Sequence, residues 1–173
     1  AYIFGLESVF AADVDGDGDV DVLSALAWGS KIALYLNDGR NNFTEQIIST
    51  NADYAESVFA ADVDSDGDVD VLSASRNDDK IALYLNDGSN NFTEEKTIST
   101  NADGATSVFA ADVDGDGDMD VLSASHSNNE IALYLNDSSN NFTKEIISTN
   151  ADGPTSVFAA VSYTHLRAHE TQY

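Results

Sequence analysis

One string of fourteen residues recurs almost unchanged three times and constrains this chain more than any other feature. Residues 8–21 read SVFAADVDGDGDVD, 57–70 read SVFAADVDSDGDVD and 107–120 read SVFAADVDGDGDMD. The starts lie 49 and then 50 residues apart, and a fourth start, SVFAA at 156–160, comes after another 49. Similarity runs through the whole unit: IALYLND recurs from Ile32, Ile81 and Ile131, and NNFT from Asn41, Asn90 and Asn140. The one extra residue falls near Glu94, Glu95 and Lys96. A unit this short cannot bury its apolar face alone, so the period calls for stacked supersecondary units such as solenoid turns or propeller blades.

Each unit reads as four short strands. SVFAAD forms the first, an Asp-rich loop leads into DVDVLSA, IALYLN is the third, and NFTEQIIST or its equivalent is the fourth. Asn-Asp-Gly or Asn-Asp-Ser after the third strand is a hairpin-type turn signal. The first and third strands are mostly apolar rather than alternating, which suits sheets buried on both faces. Nothing has the period of a helix. The expected fold is therefore all-β, with four-stranded antiparallel propeller blades at about 8–56, 57–106 and 107–155 and a stub of a fourth at 156–160. A parallel β-helix competes, but its turns are usually shorter and lack the four-strand rhythm.

The charge points to the same loops. With 31 Asp plus Glu against 7 Lys plus Arg, the formal charge is −24, which disfavours nucleic acid and anionic lipid as partners. No apolar run approaches a membrane span, and there is no Cys for a disulfide, thiolate site or nucleophile. Solubility alone would explain a dispersed charge. Here the acids are clustered: Asp13, Asp15, Asp17, Asp19 and Asp21; Asp62, Asp64, Asp66, Asp68 and Asp70; Asp112, Asp114, Asp116, Asp118 and Asp120. Carboxylates so close repel unless a cation sits among them, and alternate spacing lets a coiled loop turn them toward one centre. Gly18 supplies the freedom for a sharp turn. The expected ligands in the first copy are the side chains of Asp13, Asp15, Asp17 and Asp21 with the carbonyl of Asp19. Hard oxygen donors favour calcium over the more rigidly octahedral magnesium, at about one ion per repeat, three in all.

Rival calcium loops fail on inspection. An EF-hand needs Glu at its twelfth position and flanking helices, whereas Ser24, Ser73 and Ser123 stand there within β-rich sequence. The Gly-Gly-x-Gly-x-Asp nonapeptide of calcium β-rolls is absent. The Asp loop after SVFAAD, followed by IALYLNDG and NNFT, resembles the FG-GAP/VCBS repeat over about residues 8–160. That family includes the blades of integrin α-subunit propellers and many bacterial surface and secreted proteins. The resemblance implies calcium between strands one and two, held by the first, third, fifth and ninth side chains and the seventh carbonyl. It further implies a closed ring of seven blades, sometimes another number. Three blades and a stub do not close, and the chain opens Ala1-Tyr2-Ile3 without Met, so it reads as part of a longer protein. One departure is the Asp at the seventh position of every copy, an extra carboxylate beside the site.

Other features read more plainly. The acceptor patterns at Asn42, Asn91, Asn136 and Asn141 are turn chemistry rather than glycosylation sites. Residues 27–30, 76–79 and 126–129 differ between repeats, as do the linkers before each new blade, and both sets are expected on the face opposite the Asp loops. There Trp28 beside Arg76 offers a surface for stacking on a sugar or a partner side chain. Beyond Ala160 the repeat stops. Residues 161–173 read as non-native adapter sequence, and His165 with His169 lacks a third metal ligand. The functional expectation is a non-catalytic, calcium-stabilised propeller segment at the cell surface or outside the cell, serving adhesion or binding of a carbohydrate or protein ligand. The alternative is the propeller portion of a calcium-dependent polysaccharide lyase; a plain structural spacer is the third reading.

Overall fold

The computed structural model describes residues 5–92 and 96–160, and within them every element is a strand. β1 (Leu6–Ala12), β2 (Asp21–Leu26), β3 (Lys31–Asn37) and β4 (Phe43–Ser49) form one sheet. β5 (Ala55–Ala61), β6 (Asp70–Ser75), β7 (Lys80–Tyr84) and β8 (Lys96–Ser99) form the second, and β9 (Ala105–Ala111), β10 (Asp120–Ser125), β11 (Glu130–Asn136) and β12 (Phe142–Ser148) the third. Each is a four-stranded antiparallel meander in chain order. The chain thus forms three propeller blades; separate antiparallel sheets exclude the β-helix. The extra residue near Glu94 lies in 93–95, outside the described residues.

Register repeats from blade to blade. Phe10 opposes Leu23, Phe59 opposes Leu72 and Phe109 opposes Leu122. A bulge interrupts every first strand near its start, adding twist where the blade leaves the linker. The turn after the third strand is built on Asp38, whose Oδ1 accepts the amides of Arg40 and Asn42 while Oδ2 accepts Asn42 Nδ2 at 2.8 Å. Asp87 with Asn91 and Asp137 with Asn141 repeat it. These bonds, the side-chain amide first, hold the three Asp carboxyls below the ordinary range. Asn42, Asn91 and Asn141 of the acceptor patterns are therefore engaged in their own turns.

The core lies between blades rather than inside one. Leu23, Ile32 and Leu34 of the first blade pack on Val58, Val71 and Tyr84 of the second, and Leu72, Ile81 and Leu83 pack on Val108, Val121 and Tyr134 of the third. Every residue of β6, β7 and β10 is buried. The reading of the strands needs one addition: the second strand is buried throughout in the second and third blades, more completely than the first strand beside it. Serines hide the second strand's burial in the sequence, since Ser73, Ser75, Ser123 and Ser125 lie inside among the apolar side chains. The first strands line the axis, where Phe10, Phe59 and Phe109 form a ladder with centroids 4.7 and 4.6 Å apart. Val9 is 60% exposed while Val58 and Val108 are 3%, because only the latter two have a preceding blade over them.

Neighbouring blades share one joint. Val58 N donates to Ser8 Oγ, Val108 N to Ser57 Oγ and Val157 N to Ser107 Oγ, at 3.4, 3.3 and 3.2 Å. The SVFAA stub at 156–160 thus sits where the next first strand belongs.

Candidate metal centre

The loops joining first to second strands wind tightly because carboxylates cap their own backbone. In the first, Asp13 Oδ2 accepts Gly18 N at 3.0 Å, Asp15 Oδ1 accepts Asp17 N at 3.2 Å and Asp17 Oδ1 accepts Asp19 N at 2.8 Å. The second loop repeats this with Asp62, Asp64 and Asp66. Gly18, Gly67 and Gly117 take φ of 95°, 98° and 99°, a region that disfavours any side chain. Three carboxylates converge in every loop, with oxygens within 4.8 Å of one another: Asp13, Asp15 and Asp17; Asp62, Asp64 and Asp66; Asp112, Asp114 and Asp120.

The ninth residue has a second task. Asp21, Asp70 and Asp120 are fully buried at the start of the second strand. Asp70 accepts Val63 N with Oδ2 and Asn86 N with Oδ1, both at 2.9 Å, tying the loop to the turn after the third strand. Asp21 and Asp120 make the equivalent bonds. The extra seventh carboxylate leans away from the cluster onto that same turn. Asp19 and Asp68 press against Gly39 and Gly88, where a Cβ would meet them. Ser138 stands at the equivalent place in the third blade and hydrogen-bonds Asp118 through Oγ. Toward the cluster the seventh residue gives its backbone N–H, which donates to the fifth Asp in every loop.

The donor set fits a hard cation. Asp13 Oδ1 and Asp62 Oδ1 are buried with no hydrogen-bond partner, acceptors left over at the middle of the loop. Burial, reinforced by the neighbouring carboxylates, raises Asp15, Asp64 and Asp114 above the ordinary carboxyl range. Asp70 is pushed up to about 6, chiefly by burial and against the pull of its two amide bonds. A cation would reverse that balance. The sign gives a prediction. A carboxyl raised in the folded state holds a proton there that the unfolded chain has lost, so stability falls as pH rises from about 4 to 6. In chelator, acidification from pH 7 to 5 should therefore stabilise the protein by about 1 kcal/mol through Asp70, read from melting curves. In calcium the trend should invert, because protons then compete with the ion.

The sequence model of the FG-GAP-like repeat matches residues 13–73, 62–123 and 112–160. This chain belongs to the FG-GAP-like repeat family. Each match starts at the first Asp of a loop, and the first two run past the next loop, so the FG-GAP-like unit spans the joint between two blades. No curated protein matches the sequence. Among solved structures, a lectin of Agrocybe aegerita studied for specific recognition of non-reducing terminal N-acetylglucosamine is similar, with a TM-score of 0.61 at 18% identity. The match covers 88% of this chain and 42% of the lectin. At that identity the likeness is one of fold.

Both variable loop sets of the FG-GAP-like blades do lie together on the face opposite the Asp loops. Linker and turn are bonded there: Ala52 N donates to Ser30 O at 3.0 Å, Ala102 N to Asp79 O at 2.9 Å and Ala151 N to Asn129 O at 3.0 Å. Trp28 and Arg76 take separate partners on this face. Trp28, 70% exposed, closes over Gly5, and Arg76 pairs with Glu56 at 3.2 Å. His165 and His169 fall outside the described residues. Asn86 and Asn136 read in the sequence only as the start of a turn, and the structure gives them a larger part; their recurrence in every IALYLND was the available signal.

Proposed function

We propose that each FG-GAP-like loop binds one calcium ion, three in all, and that the ions hold a non-catalytic scaffold rather than perform chemistry. Asp13, Asp15 and Asp17, with Asp62, Asp64 and Asp66 in the second loop, are the principal side-chain ligands. In the third loop Asp112, Asp114 and Asp120 are the side chains brought together. The observation that carries this is the buried, unpartnered Oδ1 of Asp13 and Asp62 inside a ring of carboxylates. Calcium provides a charge that neutralises each ring and fixes the loop between two strands; every other constraint comes from the chain's own hydrogen bonds. Extracellular calcium modules often bind at about 10⁻⁴–10⁻³ M, which suits a protein working at the cell surface or outside the cell. The opposite face, with exposed Trp28 and its variable loops, is then the surface for a carbohydrate or protein ligand.

Calorimetric titration with calcium should report three ions per chain and magnesium little heat; no calcium binding would remove the reading. Glycan-array binding that weakens in Trp28→Ala supports the ligand face. Cleavage of a bound glycan would overturn the non-catalytic assignment.

A further inference from the structure

Loops one and three differ at one position of nine, Val20 against Met119, yet they are wound differently. The first gathers Asp13, Asp15 and Asp17, leaves Asp13 Oδ1 without a partner and buries Val14 to 3% exposure. The third gathers Asp112, Asp114 and Asp120, spends Asp112 Oδ1 on Gly115 N at 2.7 Å and leaves Val113 43% exposed. The second loop behaves as the first: Asp62 Oδ1 is unpartnered and Val63 is 1% exposed. A following blade separates the two kinds. It covers loops one and two, and no described blade covers loop three.

The contact is made by one side chain. Asn86, 4% exposed, donates Nδ2 to Val69 O of its own loop at 3.2 Å and to Val14 O of the preceding loop at 3.5 Å. Asn136, 6% exposed, does the same to Met119 O and Val63 O, both at 3.3 Å. Val14 lies between Asp13 and Asp15, and its N–H is held by Asp21. Its own blade thus fixes one polar group of this residue and the next blade fixes the other. The backbone N–H of Asn86 in turn donates to Asp70 Oδ1 of the next loop. Hydrogen bonds therefore run from loop one through Asn86 to loop two, and through Asn136 to loop three.

We infer that Asn86 and Asn136 are positioning residues that couple neighbouring calcium loops, so that an ion in one raises the affinity of the next. The inference rests on the calcium reading above. Ordering one loop presets the carbonyl that the bridging Asn must find, and the Asn presets the following loop; such coupling is reciprocal. Asn37 supplies an internal control, since it bonds Val20 O of its own loop at 3.1 Å and no described loop precedes it.

Calorimetric calcium titration of the full chain tests this. The native isotherm should be steeper than that of three independent sites. Asn86→Ala with Asn136→Ala should still take up three ions but lose the steepness, and Asn37→Ala should keep it. Disabling loop two by Asp64→Ala should lower affinity at the remaining sites about fivefold in the otherwise native chain. It should leave them unchanged in the double-Ala background. Independent sites in the native chain, or undiminished steepness in the double variant, overturn the inference. If the double variant does not fold, Asp64→Ala alone decides, because unchanged affinity elsewhere refutes coupling. Three independently bound ions sink this inference only, whereas no bound ion sinks the calcium reading with it.

Discussion

Moving the protein from about 10 mM calcium into excess chelator should lower its melting temperature by about 10 °C. Ligand held tenfold above its dissociation constant contributes about 1.4 kcal/mol per site, so three sites supply about 4 kcal/mol. For a chain of this size each kilocalorie moves the midpoint by about 2–4 °C. The electrostatics push the same way, since removing the ion leaves Asp15 and Asp64 partly buried among like charges, and Asp114 beside its own neighbouring carboxylates. Differential scanning calorimetry at pH 7, with magnesium as the control, makes the measurement. Melting curves that coincide in calcium and chelator would mean the loops are acidic turns and nothing more.

Asp70→Ala should destabilise the protein by about 4 kcal/mol, and by nearly as much in chelator as in calcium. Asp70 is fully buried and its two oxygens each accept a backbone amide, from Val63 and from Asn86. Truncation strands both donors, at about 1–3 kcal/mol each, before any loss of metal is counted. Asp66→Ala provides the contrast. Its side chain is exposed and meets the backbone only at Asp68 N, so its effect should appear in calcium and nearly vanish in chelator. Chemical denaturation of both variants in both buffers separates the two roles. An Asp70 effect confined to calcium would make that residue a simple ligand.

This division of labour explains what the sequence could say. Equal spacing makes the five carboxylates of a loop look equivalent, so Asp21, Asp70 and Asp120 read as ligands on the same footing as Asp13 or Asp62. The structure gives all three a second task, while Asp120 also joins the cluster of its loop. The ninth residue begins a strand whose neighbours bury it, and amides of the loop and of the third strand's end converge on its oxygens. The period, the four strands and the two-faced arrangement were legible because turn chemistry and apolar runs are local. Burial of the second strand was not, since its serines are polar on paper and enclosed only once a neighbouring sheet covers them. The bridging role of Asn86 depends on Val14, 72 residues earlier, and no local pattern reports such a contact.

The serine joint between blades has a consequence for how such a chain changes length. Ser8, Ser57 and Ser107 present the same hydroxyl to the same valine amide, and the side chains around it recur with them. Residues 57–106 could be excised, and the third unit would meet the first across a surface it already fits. The unit is an interchangeable part. Unequal recombination between its coding repeats would add or remove whole modules without any new interface having to evolve.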